Sequence, residues 1–284
     1  MATIPAITFL TNKALIGAHA ALVRAGVFTT SFTDEAVAPG TTMKIPVFNI
    51  EAATTFNKST NNYGKGDADL AYAEVAFNHV VKSFEFTDAQ LTQAPEGVFA
   101  GAGMAVGRCV ALAVSNAIEA ALKATDATGT ALTLPKAWGK GDLASLISGL
   151  ENAEKSVIVA SPALFGQIIA LFDAGAYGGS EAVRNGVLDG GVFGCKAVIK
   201  ANITGADALV VPEDALVVAT RTVPCGSPSV YAEVGTESDE NGFTIGFRKF
   251  GDPKSGSNYV AAEAMIGAGI VQKAKVQKIT VSES

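Results

Sequence analysis

The side chains that most often carry chemistry are scarce and scattered in this chain. His19 and His79 are the only histidines, too few for a His-based metal site or a Ser-His-Asp relay, so both read as structural. Cys109, Cys195 and Cys225 are widely spaced in apolar or Gly-rich surroundings and read as buried free thiols rather than a disulfide frame or zinc site. Gly101 to Gly107 approaches the dinucleotide pattern G-x-G-x-x-G, but Val106 stands where the third glycine belongs, and no acidic residue follows at a strand end. Gly267 to Gly269 lacks both a third glycine and a following helix and reads as a turn. Gly178 to Ala182 misses the nucleophile elbow because Ala182 replaces its final glycine. The phosphate-binding G-x-x-x-x-G-K-[ST] does not occur. No catalytic residue, cofactor-binding residue or metal ligand is therefore assigned, and no cofactor is expected. An enzyme built on this chain would have to use Asp, Glu, Lys or Ser without His.

Bulk properties narrow the remaining classes. The chain has 284 residues, enough for one large domain or two smaller ones sharing a core. It is 49% hydrophobic but only 17% charged, and it has no uninterrupted apolar run long enough to span a bilayer. Low charge with abundant Ala and Gly fits either a well-packed monomer or a subunit whose surface becomes interface, where charged residues are depleted. A net charge of −6 argues against a surface that grips nucleic acid, which needs clustered Lys and Arg. The N-terminus lacks the basic start and compact apolar segment of a secretory signal, which disfavours an adhesin or pilin and implies synthesis in the cytoplasm.

Several elements are legible. Asn12 to Val27 carries Leu15, Ile16, His19, Leu22 and Val23 on one helical face, either a short amphipathic arm or the first helix of a compact domain. Thr42 to Phe48 and Ala71 to Phe86 alternate apolar and polar residues around a polar centre, Asn57 to Leu70, and predict a long β-hairpin. Lys44, Lys58, Lys65 and Lys82 read as solvated surface lysines. Thr87 and Gln90 stand at capping-box spacing. From about Gly97 to Lys123 the pattern is helical, with Val98, Ala102, Ala105, Val106, Cys109, Ala113, Ile118 and Leu122 as candidate core. Gly101, Gly103 and Gly107 each weaken that helix by about 1 kcal/mol relative to Ala, so close packing against another backbone is the expected reason for them. Arg108 and these glycines argue against a membrane span.

Asp142 is expected to cap a helix over Leu143 to Asn152, with Leu143, Leu146, Ile147 and Leu150 on one face. Val157 to Ala160 reads as a buried strand. Ser161 is an N-cap and Pro162 the first residue of a helix presenting Leu164, Ile168, Ile169 and Phe172. Leu188 to Val198 reads as strand, glycine-permitted bend and strand. Ser229 to Val234, Phe243 to Arg248, Asn258 to Gly267 and Ile270 to Val281 read as four further strands.

The order of these pieces resembles the major capsid proteins of tailed bacteriophages with the Hong Kong 97 fold. The resemblance rests on Val157–Pro162, Gly191–Gly194 and Ala208–Ala215 for the axial domain, and on Met43–Val47 for the entry to the extended loop. Gly242–Arg248 and Gly267–Ile279 correspond to its C-terminal strands. It implies an α+β chain with an N-terminal arm (1–40), an extended loop hairpin (41–86) and a peripheral domain with a long spine helix (87–155). An axial domain (156–225) and C-terminal strands returning to the peripheral domain (226–284) complete it.

The function so implied is a non-enzymatic major capsid protein. It would self-assemble as hexamers and pentamers into the icosahedral shell around the double-stranded DNA of a tailed phage or prophage. Assembly would take place in the host bacterial cytoplasm, with no membrane and no sequence-specific DNA binding, assisted by a separate scaffolding protein and a portal. An encapsulin-type nanocompartment, which packages protein, shares the fold and is the nearest rival.

Overall fold

The computed structural model describes residues 7–49, 69–87, 89–90, 96–123, 127–150, 153–171, 186–189, 194–224, 233–252, 254 and 257–282. Its first half runs α1 (Ile7–Leu22), β1 (Thr29–Ala36), β2 (Thr42–Asn49), β3 (Asp69–Ala76), β4 (Asn78–Thr87), α2 (Glu96–Ala121), β5 (Leu132–Leu134) and α3 (Lys140–Ser148). There follow β6 (Ser156–Ala160), α4 (Pro162–Ala170), β7 (Val187–Asp189), β8 (Ala197–Lys200), β9 (Ala208–Pro212) and β10 (Leu216–Thr222). The chain closes with β11 (Glu233–Ser238), β12 (Thr244–Asp252), β13 (Ser257–Ile270) and β14 (Gln277–Val281). The class is α+β, as expected.

One sheet is organised around β13. Antiparallel β4 follows one edge from Thr87, opposite Ser257, to Asn78, opposite Ile266. β12 and β10 share the other edge, the first opposite 257–263 and the second opposite 265–270. β11 lies beyond β12, and β1 runs parallel beside β10. Alternate residues of β13, Val260, Ala262, Ala264 and Ile266, enter a core with Ile245 and Phe247 of β12. Upon this face lies α2, burying Phe99, Val106, Val110, Val114 and Ile118. Its 26 residues make a rod of about 39 Å, the longest helix among the described residues and packed on C-terminal strands, as expected. By length and composition it could cross a membrane, yet this face belongs to the core.

Helix α1 crosses α2 at backbone contact. A Cβ on Gly107 would lie 1.9 Å from the Ala14 carbonyl oxygen, and one on Gly17 would lie 2.2 Å from that of Met104. The small side chains Ala14 and Ala18, with Leu10 and Leu22, form the buried face of α1. That face differs from the expected one: Ile16 is 61% exposed and Val23 also points outward. α1 is thus the first helix of its own chain's core, not an arm free of it. The candidate core of α2 needs the same correction, since Val98, Ala105 and Cys109 are exposed.

The second sheet has the order β5, β14, β9, β6, β8, β7. Its central strand β6 is buried on both faces, which explains its unbroken apolar run. Val157 and Val159 turn toward the core under α2, whereas Ile158 and Ala160 meet α3 and α4. Ser161 Oγ accepts from the Leu164 N–H at 3.3 Å, capping α4 with Pro162 in its first turn as predicted. In α3, Leu143 and Ile147 of the predicted face are buried and Leu146 is half-buried, but the helix ends at Ser148, short of Asn152, and the N-cap is Gly139. Asp142 lies one turn in, its carboxylate accepting from the Gly139 N–H at 2.8 Å.

Two sheet memberships depart from the sequence reading. β10, from within 156–225, joins the first sheet beside β13. β14, the last piece of 226–284, pairs with β9 and β5 in the second instead of returning to the helix's sheet. The expected turn at Gly267 to Gly269 is also absent, because both glycines lie inside β13. The strand expected over Ser229 to Val234 is described from Glu233 and runs on to Ser238.

Candidate assembly surface: the hairpin and its root

Alternation in β2 and β3 produces an antiparallel pair from Thr42, opposite Ala76, to Asn49, opposite Asp69. This pair hydrogen-bonds to no third strand among the described residues. Its second arm ends earlier than expected. Ala71 to Phe86 is divided at Phe77, and β4 leaves to pair with β13. The buried Phe77 explains the break: it packs with Ala219 and Met265, beside Met43 and Val37, while its N–H donates to the Thr41 carbonyl at 3.2 Å.

Among the described residues of the hairpin, burial is confined to its root. Val75 rests on β13 where Gly267 and Gly269 remove the obstruction; a Cβ on Gly267 would meet the Ala76 oxygen at 2.8 Å and Val75 Cγ1 at 2.9 Å. Farther out, Tyr72 is 61% exposed, and Lys44 and Glu74 form an exposed cross-strand ion pair at 3.6 Å. Lys82, on β4, is also exposed, its ammonium 6.0 Å from the centre of the Phe84 ring. Lys58, Lys65 and the rest of the polar centre before Asp69 lie outside the described residues, as do Cys225 and the Gly178 to Ala182 segment.

Buried charges stand where the sequence shows only strands. Glu263 of β13 is 6% exposed. Its Oε1 accepts from Arg248 Nε, and its Oε2 lies 3.0 Å from His79 Nε2. Arg248 also donates to the Pro224 carbonyl at 3.2 Å. His79 thus has a structural partner. Cys195 is buried, with Sγ 3.8 Å from the Ala197 carbonyl oxygen, whereas Cys109 is exposed against expectation. Among the described residues no three His, Cys, Asp or Glu side chains gather in a way that could hold a metal. What the surface does offer is contact area: the open-edged hairpin, and the apolar Ile16, Val98, Met104 and Leu112 along α1 and α2.

No family model matches the sequence, and no curated protein matches it. Solved structures do. The chain aligns with the capsid of an empty GTA particle at TM-score 0.58 and 10% identity, covering 93% of this chain and 90% of that one. It aligns with the capsid of cyanophage P-SCSP1u at TM-score 0.53 and 14% identity, covering 91% and 87%. A virus-like particle from Pyrococcus furiosus matches at TM-score 0.53 and 12% identity, covering 95% and 97%. The chain has the Hong Kong 97-like fold of these shells.

Proposed function

We propose that this chain is the major capsid protein of a tailed double-stranded DNA phage or prophage, a shell subunit without catalytic activity. The observation that carries this reading is the hairpin. It projects from a body that shares its fold, over about nine-tenths of both chains, with phage and phage-like shells. Among the described residues its strands pair with no third strand, and its root is the part packed against the body. An unpaired ribbon of this kind is marginal in water by itself and gains stability by lying on another surface. The apolar side chains exposed along α1 and α2 support the same reading, since such surface marks contacts with partners.

On this reading, the β2–β3 hairpin within 41–86 supplies the reach toward neighbouring subunits, 1–40 adds α1 and β1 to the body, 87–155 holds the spine, 156–225 most of the axial layer, and 226–284 the strands that bind the two together. Hexamers and pentamers of one chain close the shell in the host cytoplasm, with a scaffolding protein and portal as partners. Enclosed DNA needs no base-specific contact, and the net charge of −6 is consistent with a lining to which DNA does not adhere.

Negative-stain electron microscopy of the chain expressed alone or with its scaffolding partner tests the proposal. Closed isometric particles are the expected outcome; small discrete oligomers or filaments under both conditions refute it. Nuclease-protected DNA in particles from the natural source separates a virion shell from an encapsulin-type compartment, which would contain protein.

A further inference from the structure

We infer that Arg221 is the clasp that sets the direction in which the hairpin leaves the body. Arg221 is near the end of β10, and only 8% of it is exposed. Its Nη1 donates to the carbonyls of Ser31 and, at 2.8 Å, Thr220, and its Nη2 reaches Ser31 Oγ at 3.1 Å and Met43 Sδ at 3.4 Å. The guanidinium carbon stands 5.6 Å from the centre of the Phe77 ring, and Nε is 3.8 Å from Glu35 Oε2. One planar group therefore touches the first arm of the hairpin, through Met43, the root where the second arm ends, through Phe77, and the body, through β1 and its own strand.

The chemistry of the contacts indicates why a cation is used. Burying a cation carries a desolvation cost, so burial by itself does not explain an arginine here. Arginine adds direction: its N–H groups form a rigid fork that cannot satisfy Ser31 and Met43 together unless the strands carrying them hold one relative angle. The Glu35 carboxylate is largely exposed, so its ion pair contributes little. Next to the clasp, the β1 register shifts between Phe32 and Ala36, and Thr222 Oγ1 donates to the Asp34 carbonyl at 2.8 Å, fixing that irregular stretch to the same strand end. These polar contacts tie the root of the hairpin to the end of β10, next to the packing of Val75 and Phe77 on β13.

This inference rests on the shell reading only for its consequence, that a misdirected hairpin misses its neighbour. Its test uses the unassembled full chain. Spin labels on the exposed native Cys109 and on a Lys44→Cys substitution, in a Cys225→Ser background, report the body-to-hairpin distance by pulsed electron resonance. A single narrow distribution is expected for the parent. Arg221→Met should lose it and give a broad one, with unchanged circular dichroism, and Arg221→Lys should also broaden it because one ammonium cannot replace the fork. A folded Arg221→Met chain with the parental distribution overturns the inference. If that variant does not fold, Ser31→Ala and Met43→Leu take its place: broadening supports the clasp, and parental widths in both overturn it. Failure of any of these chains to form shells bears on the shell reading alone, since the distance is read before assembly.

Discussion

Glycines at three positions along α2 face different surroundings, and substitution separates them. A Cβ at Gly107 would overlap the Ala14 carbonyl, so Gly107→Ala must push α1 from α2; overpacking costs about 1–3 kcal/mol and more where backbone blocks relief. Gly103 is intermediate, with its nearest backbone atom 3.0 Å from the added carbon. At Gly101 nothing lies within 4 Å, and Gly101→Ala should stabilise the helix by about 1 kcal/mol. Urea unfolding of the unassembled subunit should move in opposite directions for Gly107→Ala and Gly101→Ala; shifts of the same sign would contradict the crossing. The sequence suggests close backbone packing for all three glycines, and the structure places it at two. A second residue-scale expectation concerns Glu263. Glu263→Ala removes a buried carboxylate from the largely buried Arg248 side chain and should cost about 3–5 kcal/mol in the same measurement. No motif marks that pair or Arg221. The available signal was a lone charged residue inside an apolar strand, which indicates burial but does not identify a partner.

At the scale of elements, local chemistry was legible and long-range partners were not. The Thr87 N–H donates to Gln90 Oε1 at 2.9 Å and the Gln90 N–H to Thr87 Oγ1 at 3.3 Å, the reciprocal pair that their spacing predicts. Ser161, Pro162 and the Leu143 face were equally readable because each depends on neighbours within one turn. The face of α1 was misread for a physical reason. Apolar patterning gives weight to large side chains, but helices crossing at backbone contact bury small ones, so Ala14, Gly17 and Ala18 face inward and Ile16 faces out. Division of the hairpin at Phe77 was hidden because alternation continues through it, and only the partner strand changes. The hairpin carries its own prediction. Asn49 stands opposite Asp69, so replacing 50–68 with Asn-Gly closes a two-residue turn in the existing register. Circular dichroism should stay nearly unchanged and shell formation should be lost. Shortened chains that still assemble into closed particles of normal size and stability would remove the hairpin from its role between subunits.

For the whole molecule, the two sheets share the core beneath α2, with Val157 and Val159 of one sheet and Val260 and Ile266 of the other in the same cluster. The strands 226–284 divide between the sheets, so the chain's last segment ties both layers to one core. In the proposed shell, a body of this kind keeps its fold while the hairpin and helix surface make contacts with neighbours. Each standard interface buries about 1,600 Å², and repeated use by every subunit lets individually weak contacts close a stable lattice. The overall likeness to shell subunits was legible from the order of elements, although identity to the solved shells is only 10–14%. In the proposed shell, each copy of this chain closes the lattice by laying its hairpin on a neighbour. Cryo-electron microscopy of the assembled particle tests it most directly. Rings of five and six copies in one closed lattice are expected, with β2 and β3 of each subunit lying on the body of the next. A particle in which β2 and β3 fold back onto their own subunit, or an assembly without closed symmetry, would contradict it.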